Sequence, residues 1–290
     1  MTSLSPVPFS GSLAAHLSSS QAAPPAGEVR IYWLGQAGFL ITTDRCRIVI
    51  DPYLSDSLAE KYRGKRFAHA RLMPAPVRPE EMGPVDLVLV THHHTDHMDG
   101  QTLQPIAAAN PACRFVVPRA SLALAAERIA AGLERLIGID AGERIEPLAG
   151  IAVTAFRAAH ESLERSAEGW HRFLGYGIEI GGIRLYHSGD TIPFDGLVDD
   201  VAPFRAHLAL LPVNGRSAEL SDAGIAGNLT LDEALALAED ISAGDMIAHH
   251  YGMFAFNTED PAAIDAKSKS ADCGARLHRA KLSVEYRLSM

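Results

Sequence analysis

The sequence predicts an α/β protein built as two sheets with helices on the outside. Three observations predict it. Short apolar strands joined by tight turns open the folded body at Glu28. Residues 85–90 (VDLVLV) form a nearly continuous apolar run, the pattern of a strand buried on both faces. Beyond that run, strand-like and helix-like stretches alternate. At 290 residues the chain is long for one domain but within range for such a fold. Its 47% hydrophobic and 21% charged balance is globular, and a core of this size needs no disulfide staple.

The elements follow in order. Residues 1–27 read as an N-terminal extension, with a short helix over 10–17 and a linker-like stretch over 18–27 (SSSQAAPPAG). The body then spans 28–290. Residues 29–34 read as a strand, Gly35-Gln36-Ala37-Gly38 as a turn and 39–42 as the returning strand. Residues 47–50 follow as another strand, ending at Asp51-Pro52. Ala- and Leu-rich residues 120–132 predict a helix. Further strands are expected over 151–156, 175–180, 183–187 and 208–212. Residues 230–241 predict a helix, because Thr230 can cap it and Glu233 completes a capping box. Residues 245–248 form a last buried strand leading into His249 and His250, and 281–288 are strand-like. There is no repeat of fixed period.

The net charge of −9 weighs against nonspecific nucleic-acid binding. It leaves an anionic substrate open, because bound cations would reverse the local sign. Three cysteines, Cys46, Cys113 and Cys273, form no CxxC and suit a reducing compartment. No run approaches the ~18 apolar residues of a membrane span, and no basic region precedes the apolar residues of the N-terminus. The expectation is a cytoplasmic protein with a small-molecule substrate and no nucleic-acid or membrane partner.

The segment that carries chemistry is Thr91-His92-His93-His94-Thr95-Asp96-His97, directly behind the buried run. Loops at strand ends are where a rigid scaffold holds functional groups. Four histidines and an aspartate here can offer several neutral imidazoles and a carboxylate to cations. His92 and His94 are two apart and face one way in extended chain. Asp96 and His97 then turn to a neighbouring point, so one loop can feed two adjacent ions. A solvated polar loop or a tag-like histidine tract is the plainer reading. The mid-chain position behind a core strand favours metal.

His92-x-His94-x-Asp96-His97 resembles the HxHxDH signature of the metallo-β-lactamase superfamily, and its partners follow in order. Asp51 stands after an early strand, His160 in Ala158-Ala159-His160, Asp190 in His187-Ser188-Gly189-Asp190-Thr191, and His250 in His249-His250-Tyr251-Gly252-Met253. The resemblance covers about residues 28–261. It implies an αββα sandwich, with His92, His94 and His160 on one metal, Asp96, His97 and His250 on a second, and Asp190 bridging both. Asp51 would orient a ligand imidazole from behind, with His187 also behind the ligands. His93 would point away. The sequence alone leaves His249 and His250 as alternatives, since neighbouring side chains of a strand point oppositely; the resemblance favours His250.

Within the superfamily, lactamases proper offer Cys or Ser where Asp190 stands, and flavodiiron relatives offer Glu where His94 stands. The forty residues after His250 include a strand-like stretch rather than the helical domain of glyoxalase II relatives. Trp33-Leu34-Gly35-Gln36-Ala37-Gly38-Phe39, Asp51-Pro52-Tyr53-Leu54-Ser55, Leu211-Pro212-Val213-Asn214-Gly215-Arg216, Gly227-Asn228-Leu229-Thr230 and the stretch from His250 to Thr258 are similar to the branch named for L-ascorbate 6-phosphate lactonase. That branch implies a hydrolase in which a hydroxide bridging two ions opens a lactone or cleaves a small ester, phosphorylated or not. Asp190 would fix the bridge, Asp96 would move a proton, and Tyr251 would donate to the developing oxyanion. Tyr251 could equally pack beside the site. Candidate substrate contacts are Gln36, Asn214, Arg216, His187 and Asn257. The Arg216 guanidinium suits phosphate or carboxylate, though a surface ion pair is as good a reading; Asn214-Gly215 could simply make a turn. Zn or Mn would serve, with Fe also possible, and self-association is compatible with the resemblance. The alternatives are a phosphodiesterase of the same fold and a non-catalytic scaffold. Filled ligand positions weigh against the scaffold.

Overall fold

A strand that must bury both faces needs neighbours on both edges and layers above and below, and this requirement organises the molecule. The computed structural model describes residues 2–19, 24–269 and 274–290. In chain order the strands are β1 (Ser3–Pro8), β2 (Glu28–Gly35), β3 (Gly38–Thr42), β4 (Arg47–Ile50), β5 (Leu87–Leu89), β6 (Arg114–Pro118), β7 (Leu136–Ile139) and β8 (Arg144–Leu148). They continue with β9 (Ile151–Arg157), β10 (Leu174–Ile180), β11 (Ile183–His187), β12 (Leu208–Pro212), β13 (Asp245–His249), β14 (Arg276–Arg279) and β15 (Val284–Ser289). The helices are α1 (Leu13–Ser19), α2 (Ser57–Lys61), α3 (Gly100–Ala109), α4 (Leu122–Ile129), α5 (Leu197–Val201), α6 (Ala218–Asp222), α7 (Leu231–Asp240) and α8 (Pro261–Lys267).

One sheet has the order β1-β15-β2-β3-β4-β5-β6-β7, the other β14-β13-β12-β11-β10-β9-β8. Each is antiparallel at one end and parallel at the other. Strands β4 to β7 run parallel, as do β11 to β14. Alternation along β2 shows the layering. Ile31 and Trp33 face the layer between the sheets with Phe39, Leu89, Tyr176 and Leu210. Tyr32 and Leu34 face outward with Leu103, Ile106 and Ile129 of α3 and α4. Helix α7 covers β12 and β13 on the other side. The result is the expected αββα sandwich.

Some elements differ from the sequence reading. Residues 3–8 are not outside the body: they pair antiparallel with β15, from Ser3 opposite Ser289 to Pro8 opposite Val284. Two prolines hide this strand from a propensity reading, yet prolines are tolerated on an edge. The short helix lies at Leu13–Ser19 rather than 10–17. Within the linker-like stretch over 18–27, residues 20–23 lie outside the described residues. Helix α3 went unread because Pro105 sits inside it. The helix expected over 120–132 begins as a 3-10 turn and ends where Ala130 takes a left-handed conformation. Helix α7 has the expected cap, with Thr230 and Glu233 bonded reciprocally. Among the described residues, no helix is long and apolar enough to cross a membrane.

The topology gathers loops at one edge. Asp51 follows β4, residues 91–97 follow β5, Asp190 follows β11 and His250 follows β13. All four leave carboxyl ends of parallel strands. His160 comes from beyond β9, and Gln36 from the β2–β3 turn.

Candidate metal centre

The loop after β5 is tied down before it reaches the cluster. The backbone N and Oγ1 of Thr91 donate to Asp51 Oδ1 and Oδ2 at 2.8 and 2.6 Å. Asp51 Oδ2 also accepts from His97 Nδ1 at 2.7 Å. The wholly buried carboxylate only accepts, so Nδ1 of His97 carries a proton and Nε2 faces Asp96 and Asp190. The chain then makes a helical turn, with the backbone N of His97 and of Met98 donating to the His94 carbonyl at 3.1 and 2.8 Å. This turn brings the His97 ring beside that of His92, with centroids 3.9 Å apart. Arg128, from α4, clamps the loop by donating to the carbonyls of His93 and Met98.

The donors form three overlapping sets: His92, His94 and His160; His92, His97 and Asp190; and Asp96, His97 and His250. Within each set the ligand atoms all lie within 4.8 Å of one another. Asp190 Oδ2 sits among them, 3.3 Å from His97 Nε2, 3.2 Å from His250 Nε2 and 3.8 Å from His160 Nε2. Asp96 Oδ2 is 3.8 Å from His97 Nε2 and 3.9 Å from His250 Nε2. His160 Nδ1 donates to the Gly227 carbonyl at 3.1 Å, which leaves its Nε2 for the cluster. Gly189 has φ +63°, and a Cβ there would stand 2.4 Å from the Leu174 carbonyl oxygen, so only glycine delivers Asp190 here. Gln36, Asp51 and His250 have φ of 50°, 42° and 61°, left-handed values unusual for residues with side chains.

Electrostatics separates the donors. Burial holds the His92, His94 and His160 imidazoles below their ordinary pKa, His160 at about 4, so they stand as neutral ligands. Burial also pulls on His97, but Asp190, Asp51 and Asp96 together outweigh it and hold His97 well above its ordinary value. Asp190 is held well below the usual carboxylate range: burial opposes this, and His250 and His97 overcome it. Asp96 is lowered in the same way, chiefly by His97 and then His250. The carboxylates thus demand positive charge at this point. His92 Nε2, His97 Nε2 and Asp190 Oδ1 are buried with no hydrogen-bond partner. Orphaned inward-facing imidazole and carboxylate atoms fit divalent ions of the Zn, Mn or Fe type.

The remaining predicted residues divide. His250 joins the cluster. His249 lies behind it, stacked on His187 at 5.0 Å and edge-on to Phe39 at 5.2 Å. His93 belongs to none of the donor sets, yet it lines the cavity rather than pointing away from it. His187 donates from Nε2 to the Ala37 carbonyl and accepts at Nδ1 from the Gly189 backbone, both at 3.0 Å. Fully buried, it fixes the turn that carries Asp190 and cannot meet substrate. Gln36 lines the cavity and donates to Asp96 Oδ2 at 2.9 Å. Asn257 lines the cavity too, accepting from Asn214 Nδ2 at 2.7 Å.

Three expected contacts lie elsewhere. Asn214 is a buried link between Asn257 and Asn228. Arg216 turns its guanidinium onto Glu233 at 2.6 and 2.7 Å, so it anchors the start of α7. Tyr251 donates to the Ala280 carbonyl, receives Arg279 Nη1 at 3.3 Å and stacks on Trp33 at 5.1 Å. Its hydroxyl is therefore committed away from the cluster and cannot serve an oxyanion.

A cavity of about 260 Å³ opens above the donors, with Asp96, Asp190, His160 and His250 on its floor. Leu58, Tyr62, His69 and Phe254 form a second, apolar and aromatic wall, and Lys61 and Arg128 add positive charge. Sequence reasoning missed this wall, apart from Phe254 in a quoted stretch. Residues 57–69 (SLAEKYRGKRFAH) show neither apolar period nor motif.

Known proteins share the chain's sequence and fold. A family model described as the beta-lactamase superfamily domain matches residues 46–251. A UPF0173 metal-dependent hydrolase of Methanosarcina mazei is 29% identical over 248 residues, covering 83% of this chain and 92% of that protein. One from Aeropyrum pernix is 31% identical, covering 80% and 86% respectively. Among solved structures, Igni18, a metallo hydrolase from Ignicoccus hospitalis, shares the fold with a TM-score of 0.65 at 20% identity, over 91% of this chain and 99% of that one. The chain belongs to the β-lactamase superfamily and, with these relatives, to its metal-dependent hydrolases.

Proposed function

We propose that this hydrolase opens a small lactone or cleaves a small ester, phosphorylated or not, at a centre of two divalent ions. The observation that carries this reading is that Asp190 Oδ2 lies 3.8 Å from His160 Nε2 and 3.3 and 3.2 Å from the Nε2 atoms of His97 and His250, on the floor of one cavity. His92, His94 and His160 would hold one ion, Asp96, His97 and His250 the other, and Asp190 would touch both. Zn or Mn suits the donors, with Fe a third choice. When bound, such ions supply a water of lowered pKa and a Lewis acid for a carbonyl or phosphoryl oxygen.

The protein's own groups prepare that chemistry. Asp51 sets the His97 ring and, through Thr91, the loop that bears the ligands. Gln36 steadies the Asp96 carboxylate, which would receive a proton. A cavity of about 260 Å³ suits a small molecule. Lys61 and Arg128 favour negative charge on it, which keeps a small phosphodiester as the second reading.

The test is elemental analysis of wild type and His94→Ala together, followed by lactone, carboxylic ester and phosphodiester panels with the metal found. About two equivalents in the wild type and fewer in the variant are expected. A wild type that takes up no metal from Mn²⁺ or Zn²⁺ would overturn the proposal and leave a scaffold.

A further inference from the structure

The second wall holds a polar atom that the metal chemistry does not use. His69 is 9% exposed, and it borders the cavity. Its ring stacks on Tyr62 at 4.2 Å and meets Phe254 and Phe256 edge-on at 5.0 and 4.8 Å. Its Nδ1 lies 2.8 Å from the Phe67 carbonyl oxygen. A carbonyl only accepts, so the proton sits on Nδ1 and Nε2 carries a lone pair. Burial lowers the pKa of the ring, so it stays neutral near pH 7. The Asp96 carboxylate, on the floor of the same cavity, pulls the other way. Nε2 has no partner in the structure. Solvent in the cavity reaches this lone pair, so a donor on a bound substrate can take the place of water there.

We propose that His69 Nε2 is the substrate-orienting acceptor of this site, taking a hydrogen bond from a hydroxyl or amide N–H beside the scissile carbonyl. The inference rests on the hydrolase reading above and narrows its substrate class. His69 and the donors of the floor line one cavity, so a single small substrate can meet both. The aromatic cage fixes the direction of the lone pair, and the donor in turn fixes which face of the carbonyl meets the floor. Substrates without such a donor enter the same space but are not held in register.

Two ketones probe this without turnover: 2-hydroxycyclopentanone and cyclopentanone share ring and carbonyl, and neither has a bond to hydrolyse. Zinc-loaded protein with ¹⁵N-labelled histidine is titrated with each and followed through the ring nitrogen resonances. His69→Phe, which keeps the ring packing, assigns the signal. The expected results are an Nδ1–H tautomer, a shift of Nε2 with the hydroxyketone, and about tenfold tighter binding of the hydroxyketone, the scale of one hydrogen bond. His69→Phe should retain its zinc and bind both ketones at the weaker affinity. An Nε2–H tautomer, a wild type that does not discriminate, a His69→Phe protein that still does, or no binding of either ketone would each overturn the proposal. Zinc loading is read separately in the same samples: its failure in the wild type sinks the hydrolase reading, whereas intact loading without discrimination sinks only the role of His69.

Discussion

The floor and the aromatic wall of the cavity are built by different means. Floor residues leave strand ends, and a neighbour fixes most of them: Asp51 holds His97, Gly227 holds His160, Gln36 holds Asp96. The wall comes from a five-residue helix, the loop behind it and the loop after His250. Rings packed on rings hold it, with few polar ties. Chemistry that needs donors placed to fractions of an ångström sits on the rigid part. Recognition, which can change without losing the reaction, sits on the loops.

The sharpest way to break this contrast is Asp190→Ala. Removing the carboxylate that would touch both ions should lower kcat/KM by more than about 100-fold, the upper scale for losing a mere supporting partner. A variant with full metal content and full activity would show that Asp190 is not shared. Asp51→Asn comes next. The amide no longer accepts from both Thr91 and His97 in the same way, and metal affinity should fall by about 10- to 100-fold in a chelator competition. Unchanged affinity would make Asp51 a purely structural residue.

Acid should divide the histidines around the floor in the chelator-treated protein. Burial holds His92 and His94 below their ordinary values, and His93 and His160 at about 4. Unfolded histidines titrate near about 6.5. Below that pH the unfolded chain takes up more protons, so stability should fall as pH drops from about 6.5 towards 4. His97 has the opposite sign: its contribution is already complete below the unfolded value and stays constant across this window. A urea midpoint lower at pH 5 than at pH 7 is the expected outcome, and a steeper loss in the zinc-loaded protein should follow, since protons and metal compete for the same nitrogens. The smallest effect belongs to Tyr251→Phe. It should cost about 1 kcal/mol of stability, one hydrogen bond to Ala280, and leave kcat/KM within about twofold. A large loss of kcat at unchanged metal content would return Tyr251 to the chemistry.

What the sequence disclosed follows the same division. The floor was legible because its residues are chemically rare and stand at the ends of apolar runs: the cluster after 85–90, Asp51 after 47–50, His250 after 245–248. The cap of α7 was legible because Thr230 and Glu233 have a spacing with one geometric meaning. Side-chain direction was not. Tyr251 adjoins His250 in sequence, but the left-handed His250 backbone turns it onto Trp33. Arg216 looked free for an anion, yet α7 brings Glu233 to it. Strand β1 and helix α3 were obscured by prolines that the tertiary structure accommodates. The wall at 57–69 was invisible because its residues converge only through the fold.

The left-handed backbone at Gln36, Asp51 and His250 has a consequence for laboratory evolution. A non-glycine residue in such a conformation gives up about 1 kcal/mol or more. Glycine or asparagine would relieve much of it at each position. A library selected for heat resistance alone should therefore collect replacements at residues 36 and 250, and spare Asp51, whose loss strands the buried donors of Thr91 and His97. Its survivors would outlast the parent on warming while releasing metal more readily. Selection that alternates heat with metal retention would keep all three side chains and find its gains among residues far from this edge.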